Sequence, residues 1–196
     1  MDQSSRAIPA GRARSYRRFV RRHLYWLRLE LLLAIVSIVA AAVAVQLRPP
    51  SEEDVLAYLD HQVVSVLETA SPAQHHDHGH TDVVAGDRVV CEAEAFGHDP
   101  VSVGSLSDVR TAYAYYLCAA APPGTPWDEA ARISGPVAVT LADGGVRIAE
   151  AGLGYQDRVR ALIPARYAGH TDGFANPAIP MRLRERYETE IARAAK

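Results

Sequence analysis

Residues 31–47, LLLAIVSIVAAAVAVQL, run for 17 positions without a charge, and Ser37 and Gln46 are their only polar members. A helix of that length spans about 25 Å, the short end of what crosses a bilayer. Leu27 and Leu29 extend it if Arg28 and Glu30 snorkel or pair. The charges on its two sides give it a direction. Residues 1–30 hold eight arginines against Asp2 and Glu30, net +6, and the rest of the chain is net −8. Basic segments stay on the cytoplasmic side. The chain therefore reads as a single-pass membrane protein, with a cytoplasmic tail (1–30), a transmembrane helix (31–47) and its remaining residues outside the cell membrane.

The tail is too short and too poor in apolar residues to fold alone. Its cluster Arg17-Arg18-Phe19-Val20-Arg21-Arg22 suits anionic headgroups, each charge near the surface contributing about 1 kcal/mol. Tyr25 and Trp26 stand where amphipathic rings favour the interface. The lipid bilayer, and not nucleic acid, is the partner this distribution implies. A cleavable signal is the competing reading, because Ala42-Val43-Ala44 has the small-x-small form of a cleavage site. The long leading region favours an uncleaved anchor, and either route exports the C-terminal portion of the chain.

The exported part has room for one domain with a hydrophobic core. Residues 48–85 read as a linker, a helix and a loop. Pro49-Pro50 breaks the membrane helix, and Ser51-x-x-Asp54 forms a capping box with Glu52 and Glu53 in the first turn. Val55, Leu59, Val63, Val66 and Leu67 then recur at helical spacing, which predicts a helix over 52–69 with His61 on its solvated side.

Residues 70–85 have no periodicity but carry His75, His76, His78, His80 and Asp82 within eight positions. Imidazole suits Zn, Cu and Ni, so these five are the candidate metal ligands, although their spacing matches no defined site.

The remainder, 86–196, reads as α+β, a small antiparallel sheet packed on helices. Val89, Cys91, Ala93 and Ala95 alternate with Arg88, Glu92 and Glu94, a half-buried strand that Gly97-His98-Asp99-Pro100 should close as a turn. Val90 and Phe96 on the polar side imply that its far face is partly covered. Ser105 to Ala120 reads as a buried central helix, capped by Ser105 and Asp108 and free of charge beyond Thr111. WDEAARI (127–133) reads as one or two helical turns. The runs 135–141 and 146–148 around Asp143-Gly144-Gly145 predict a β-hairpin. Residues 155–164 predict a short helix with Val159, Leu162 and Ile163 inward. A last helix after Pro180 carries Leu183, Tyr187 and Ile191 as a docking stripe. Cys91 and Cys118 are the only cysteines, and an even count in an oxidising compartment predicts a disulfide between them.

The stretch carrying VVCEAEAF (89–96), SDVRTAYAYYLCAAA (107–121), PPGTPWDEAARISGPVAV (122–139) and RVRALIPARY (158–167) resembles a group of uncharacterised actinobacterial exported or membrane-anchored proteins. The resemblance covers roughly residues 86–167 and implies no activity and no catalytic residue. Abundant Ala and a single lysine, Lys196, agree with that origin. In plan the chain is also similar to membrane proteins associated with lipid-import operons, from which no role is carried over.

The chain has no G-x-S-x-G elbow, H-E-x-x-H, phosphate-binding glycine loop or C-x-x-C. His98-Asp99 and His170-Thr171-Asp172 are isolated pairs. The reading is a non-enzymatic binding or scaffolding module for an envelope partner. The alternative is an extracytoplasmic metal-binding protein acting through the His75–His80 loop.

Overall fold

A computed structural model describes residues 26, 28–41, 43, 49–70 and 86–193. It divides the chain into two units, Met1–Arg48 and Pro49–Lys196. In the first, residues 28–41 are helical, and Leu31, Leu32, Leu33, Val36, Ile38 and Val39 are all more than half exposed. Among the described residues no helix is long and apolar enough to cross a membrane. The expected span of 31–47 is described as helix at 31–41 and 43, and its other positions lie outside the described residues.

The second unit is a three-layer α+β fold. Helix α1 (Glu52–Thr69) starts at the expected capping box, in which Ser51 Oγ accepts the Asp54 N–H and the Asp54 carboxylate accepts the Ser51 N–H. It buries Val55, Leu59, Val63 and Leu67, and each such side chain removed from water contributes about 1.5–3 kcal/mol. Four antiparallel strands come next in chain order: β1 (Arg88–Asp99), β2 (Thr111–Ala121), β3 (Ala131–Thr140) and β4 (Gly145–Ile148). Helices α2 (Tyr155–Leu162) and α3 (Ile179–Tyr187) complete the domain, and α3 continues through a π turn at Glu188–Ala192.

Both faces of the sheet are covered. Cys91, Ala93, Ala95, Ala114, Tyr116, Cys118, Val137 and Val139 pack with the apolar face of α1. On the opposite face Val90, Ala119 and Ala121 meet Leu183, Tyr187 and Ile191 of the last helix. Tyr113 and Ala138 meet Val159 and Ile163 at the end of α2. The predicted stripe of the last helix thus docks fully: its three residues are buried, and the Tyr187 hydroxyl donates to the Thr125 carbonyl at 2.9 Å.

This double coverage explains the largest correction. Residues 111–120, expected as most of a helix running from Ser105 to about Ala120, instead lie in the inner strand β2. A strand buried on both faces needs no polar alternation, so a charge-free run of Ala, Tyr and Leu fits it as well as it fits a buried helix. Tertiary context overrides the helix propensity of its alanines. The Ser105/Asp108 capping box is real, but it closes a single 3₁₀ turn, Leu106–Asp108.

Two boundaries move for related reasons. The segment 127–133 makes one 3₁₀ turn, Trp127–Glu129, and enters β3 already at Ala131, opposite Ala120. Residues 97–99 do not close β1 as a turn. The strand shifts register between Ala95 and Gly97, continues to Asp99 and ends at a cis Asp99–Pro100 bond. Glycine suits position 97 because a Cβ there would overlap the ring of Tyr167, which covers the backbone.

The cysteines stand directly opposite each other on β1 and β2, with Cα atoms 4.1 Å apart, and form the expected disulfide. It joins two strands, not a strand and a helix.

Candidate functional site: a gap in the capped edge of β1

The main-chain directions along β1 follow from Cys91. Its N–H donates to Glu68 Oε1 at 2.7 Å and its carbonyl accepts from Arg186 Nη1 at 2.7 Å, so both groups point away from β2. Cys91 and Cys118 therefore form a non-hydrogen-bonded pair, the kind in which facing side chains come closest. With a period of two, Ala93 and Ala95 also present their amides to the outer edge.

Most of that edge is covered by side chains. Asp60 Oδ1 accepts the Ala95 N–H at 2.6 Å. Beyond the register shift, the Tyr167 hydroxyl accepts the His98 N–H at 3.2 Å and donates to the His98 carbonyl at 3.1 Å. A sheet edge left bare is a template for unwanted pairing, and this one is closed by carboxylates, a guanidinium and a phenol. Among the described residues, neither the Ala93 N–H nor its carbonyl receives a side-chain partner of this kind.

At this gap lies a cleft of about 580 Å³, lined by Ala57, Asp60, His61 and Val64 from α1, Glu92 and Ala93 from β1, and Arg182 and Arg186 from α3. The cations in it differ. Arg186 uses all three of its nitrogens, reaching Glu68 at 2.9 Å, Glu92 at 3.3 Å, Glu190 at 3.1 Å and the Cys91 carbonyl with four of its five N–H groups. Burial works against its charge, and Glu68 and Glu190 more than compensate, so its pKa is raised. Arg182 is about half exposed and stands 3.6 Å from Glu92, beyond hydrogen-bond distance. Asp60 is pushed above the ordinary carboxylate value by burial and by Glu94, against the pull of the Ala95 N–H, His61 and Arg182. The cleft therefore combines a buried Ala93 peptide that has no side-chain cap among the described residues, a half-exposed guanidinium and a carboxyl that holds its proton more tightly than usual.

A second cavity, about 470 Å³, opens where β4 pairs only Val137–Thr140 and leaves the outer edge of the first half of β3 without a strand neighbour. It is bounded by Ile133–Pro136, Ile148–Gly152, Tyr116 and Tyr155. Glu150 is its one charged lining residue, so it has shape but few directing groups.

His75, His76, His78, His80 and Asp82 lie outside the described residues. Among the described residues, no group of three or more His, Cys, Asp or Glu side chains is placed to hold a metal ion. The isolated His–Asp pairs hold the fold together. The buried His98 ring meets the Pro100 carbonyl at 2.7 Å and Glu52 at 3.3 Å, and Asp99 faces Arg166 at 3.6 Å. The His170 ring stacks on Phe96.

The cleft residues carried a sequence signal that the apolar pattern obscures. Asp60, Val64 and Glu68 fall at i, i+4 and i+8 along one flank of the apolar face of α1, and Arg182 and Arg186 repeat at i+4 on α3. Complementary charge stripes on two helices are legible; which strand edge they bracket is not. No family model, no curated protein and no solved structure matches the chain.

Proposed function

We propose that the protein is a single-pass, membrane-anchored binding module. Residues 31–47 hold it in the bilayer, the basic tail lies in the cytoplasm, and the α+β domain engages an envelope component outside. The observation that carries the binding reading is the cleft beside β1, about 580 Å³ and lined by the charged or titratable side chains of Asp60, His61, Glu92, Arg182 and Arg186. Support for export comes from the Cys91–Cys118 disulfide, since such bonds persist in oxidising compartments. Support for the anchor comes from the helix at 28–41, whose apolar side chains are exposed on every face.

Two measurements test this. Protease added outside intact cells should digest the domain and spare the N-terminal tail; protection of the domain would overturn the topology. A photo-crosslinking residue at His61, on the rim of the cleft, should trap a discrete envelope partner, whereas the same residue at the fully exposed Leu153 should not. Equal trapping from both positions would remove the cleft as the binding surface.

A further inference from the structure

We propose that the half of β3 without a strand neighbour is a docking edge for an extended peptide segment carrying an acidic residue. The segment pairs antiparallel with Arg132 and Ser134 and sets its carboxylate beside the Arg132 guanidinium. This edge lies across the sheet from the cleft beside β1, so the inference goes beyond that reading and stands or falls without it.

Register fixes which groups are free. The Leu141 N–H donates to the Arg110 carbonyl at 2.9 Å, one step beyond the Thr111–Thr140 pair. Odd-numbered residues of β3 therefore turn their main-chain groups toward β2, and even-numbered ones turn outward. Ala138 pairs outward with Arg147 of β4. The next outward position is Pro136, which has no N–H, and β4 ends at Ile148 before reaching it. Ser134 and Arg132 come next. Both are exposed, and their outward N–H and C=O groups have no partner among the described residues. Two such positions about 6.8 Å apart are what an added strand requires.

Charge selects the occupant. The Arg132 guanidinium lies over the Trp127 ring at 5.1 Å and makes no ion pair among the described residues. The indole face holds the planar cation in place and leaves its N–H groups for a carboxylate. A residue directly opposite on an added strand carries its side chain on the same face of the sheet, so an acid facing Arg132 meets the guanidinium. A second copy of the chain would bring this edge another arginine and no carboxylate. The ligand residue before the acid faces Ile133 in a non-hydrogen-bonded pair, where side chains come closest. Ile133 packs on the core, so that ligand residue is apolar, and the cavity of about 470 Å³ beside Ile133 and Pro136 gives it room. Glu150, on the other wall of that cavity, repels acid there and confines it to the Arg132 end.

The test uses the full-length protein in detergent micelles, labelled with nitrogen-15, and acetyl-Thr-Val-Thr-Val-Glu-amide or the same peptide with Gln in place of Glu. The Glu peptide should shift the Ser134 amide resonance saturably, and the Gln peptide should bind about threefold more weakly. Arg132→Gln, at an exposed position, should erase that difference. Ser134→Pro removes an outward N–H at an edge position that tolerates proline, and it should abolish binding while the resonances of β1 and β2 keep their places. An unmoved Ser134 resonance, equal binding of the two peptides, a difference that survives Arg132→Gln, or unchanged binding to Ser134→Pro would each overturn the proposal. A Ser134 resonance that moves with protein concentration alone would make the occupant a second copy. Slow hydrogen exchange at Ser134 in dilute, peptide-free protein would show the edge covered by the chain itself. Either result also overturns it.

Discussion

Glu68 accepts the outward N–H of Cys91 at 2.7 Å with the same carboxylate oxygen that receives Arg186 at 2.9 Å. One atom thereby ties the helix before the sheet, the first strand and the helix at the end of the domain. Arg186→Ala removes the cation from Glu68 and Glu92 and leaves the Cys91 carbonyl without its donor. With the side chain about one-third exposed, solvent softens the loss to about 1–2 kcal/mol. Urea unfolding should show the midpoint fall, with little recovery in Arg186→Lys, which lacks the fork needed to reach several acceptors at once.

The disulfide closes a loop with a sequence separation of 27 residues. In the chain-entropy treatment such a closure contributes about 3–4 kcal/mol. The Cys91→Ala/Cys118→Ala double variant should unfold at correspondingly lower urea, and reductant should destabilise the parent protein but not the variant. Equal sensitivity of the two to reductant would contradict this.

Gly97→Ala drives a methyl group into the Tyr167 ring, whose hydroxyl also caps His98. Overpacking of this kind costs about 1–3 kcal/mol, and the rigid strand beneath places it toward the upper end. The loss should be non-additive with Tyr167→Leu, because removing the ring removes the obstacle. Thermal melts of the two single variants and the double variant measure the coupling.

Asp60 makes stability depend on pH in an uncommon direction for a carboxylate. Its folded-state pKa is raised above 3.8, first by burial and further by Glu94. The folded chain then binds this proton more tightly than the unfolded chain does, so the contribution is most favourable below 3.8 and declines as pH rises through the folded-state value. Asp60→Asn keeps an oxygen for the Ala95 N–H and removes the titration. Relative to the parent, it should gain stability from about pH 4 to about pH 7, read as a difference in urea midpoints. A difference that stays flat across that range would mean Asp60 does not titrate in this way.

Local signals in the chain predicted local structure well. The capping box of α1, its four buried apolar residues, the alternation of β1, the β3–β4 hairpin and the stripe Leu183-Tyr187-Ile191 each arise from a short-range pattern, and each stands in the fold. Strand β2 was illegible because its pattern is set by what covers it on both faces, and a run such as Tyr113-Ala114-Tyr115-Tyr116 records coverage without naming the conformation. The cleft was illegible for a different reason. Asp60, Glu92 and Arg182 are ordinary surface charges until the packing of α1, β1 and α3 brings them to one cleft. The five candidate ligands of the His-rich loop had the stronger compositional signal and lie outside the described residues.

Strand order along the sheet equals order along the chain, so β1, β2, β3 and β4 can pair in the sequence in which they leave a ribosome or an export channel. The outer rim of β1 takes its carboxylate caps from the helix made before it, but not all of its partners. Its Cys91 carbonyl waits for Arg186, a residue 95 positions downstream, and its Glu94 carboxylate takes the amides of Ala175 and Asn176. The first strand to be made is thus among the last to be finished. A nascent chain stalled or cut before Ile179 already holds Asp60, Glu68 and Tyr167 for the edge of β1 but has no donor for the Cys91 carbonyl and no cover for Val90, Ala119 and Ala121, so the fragment differs from the finished chain by one bare patch that the last helix closes.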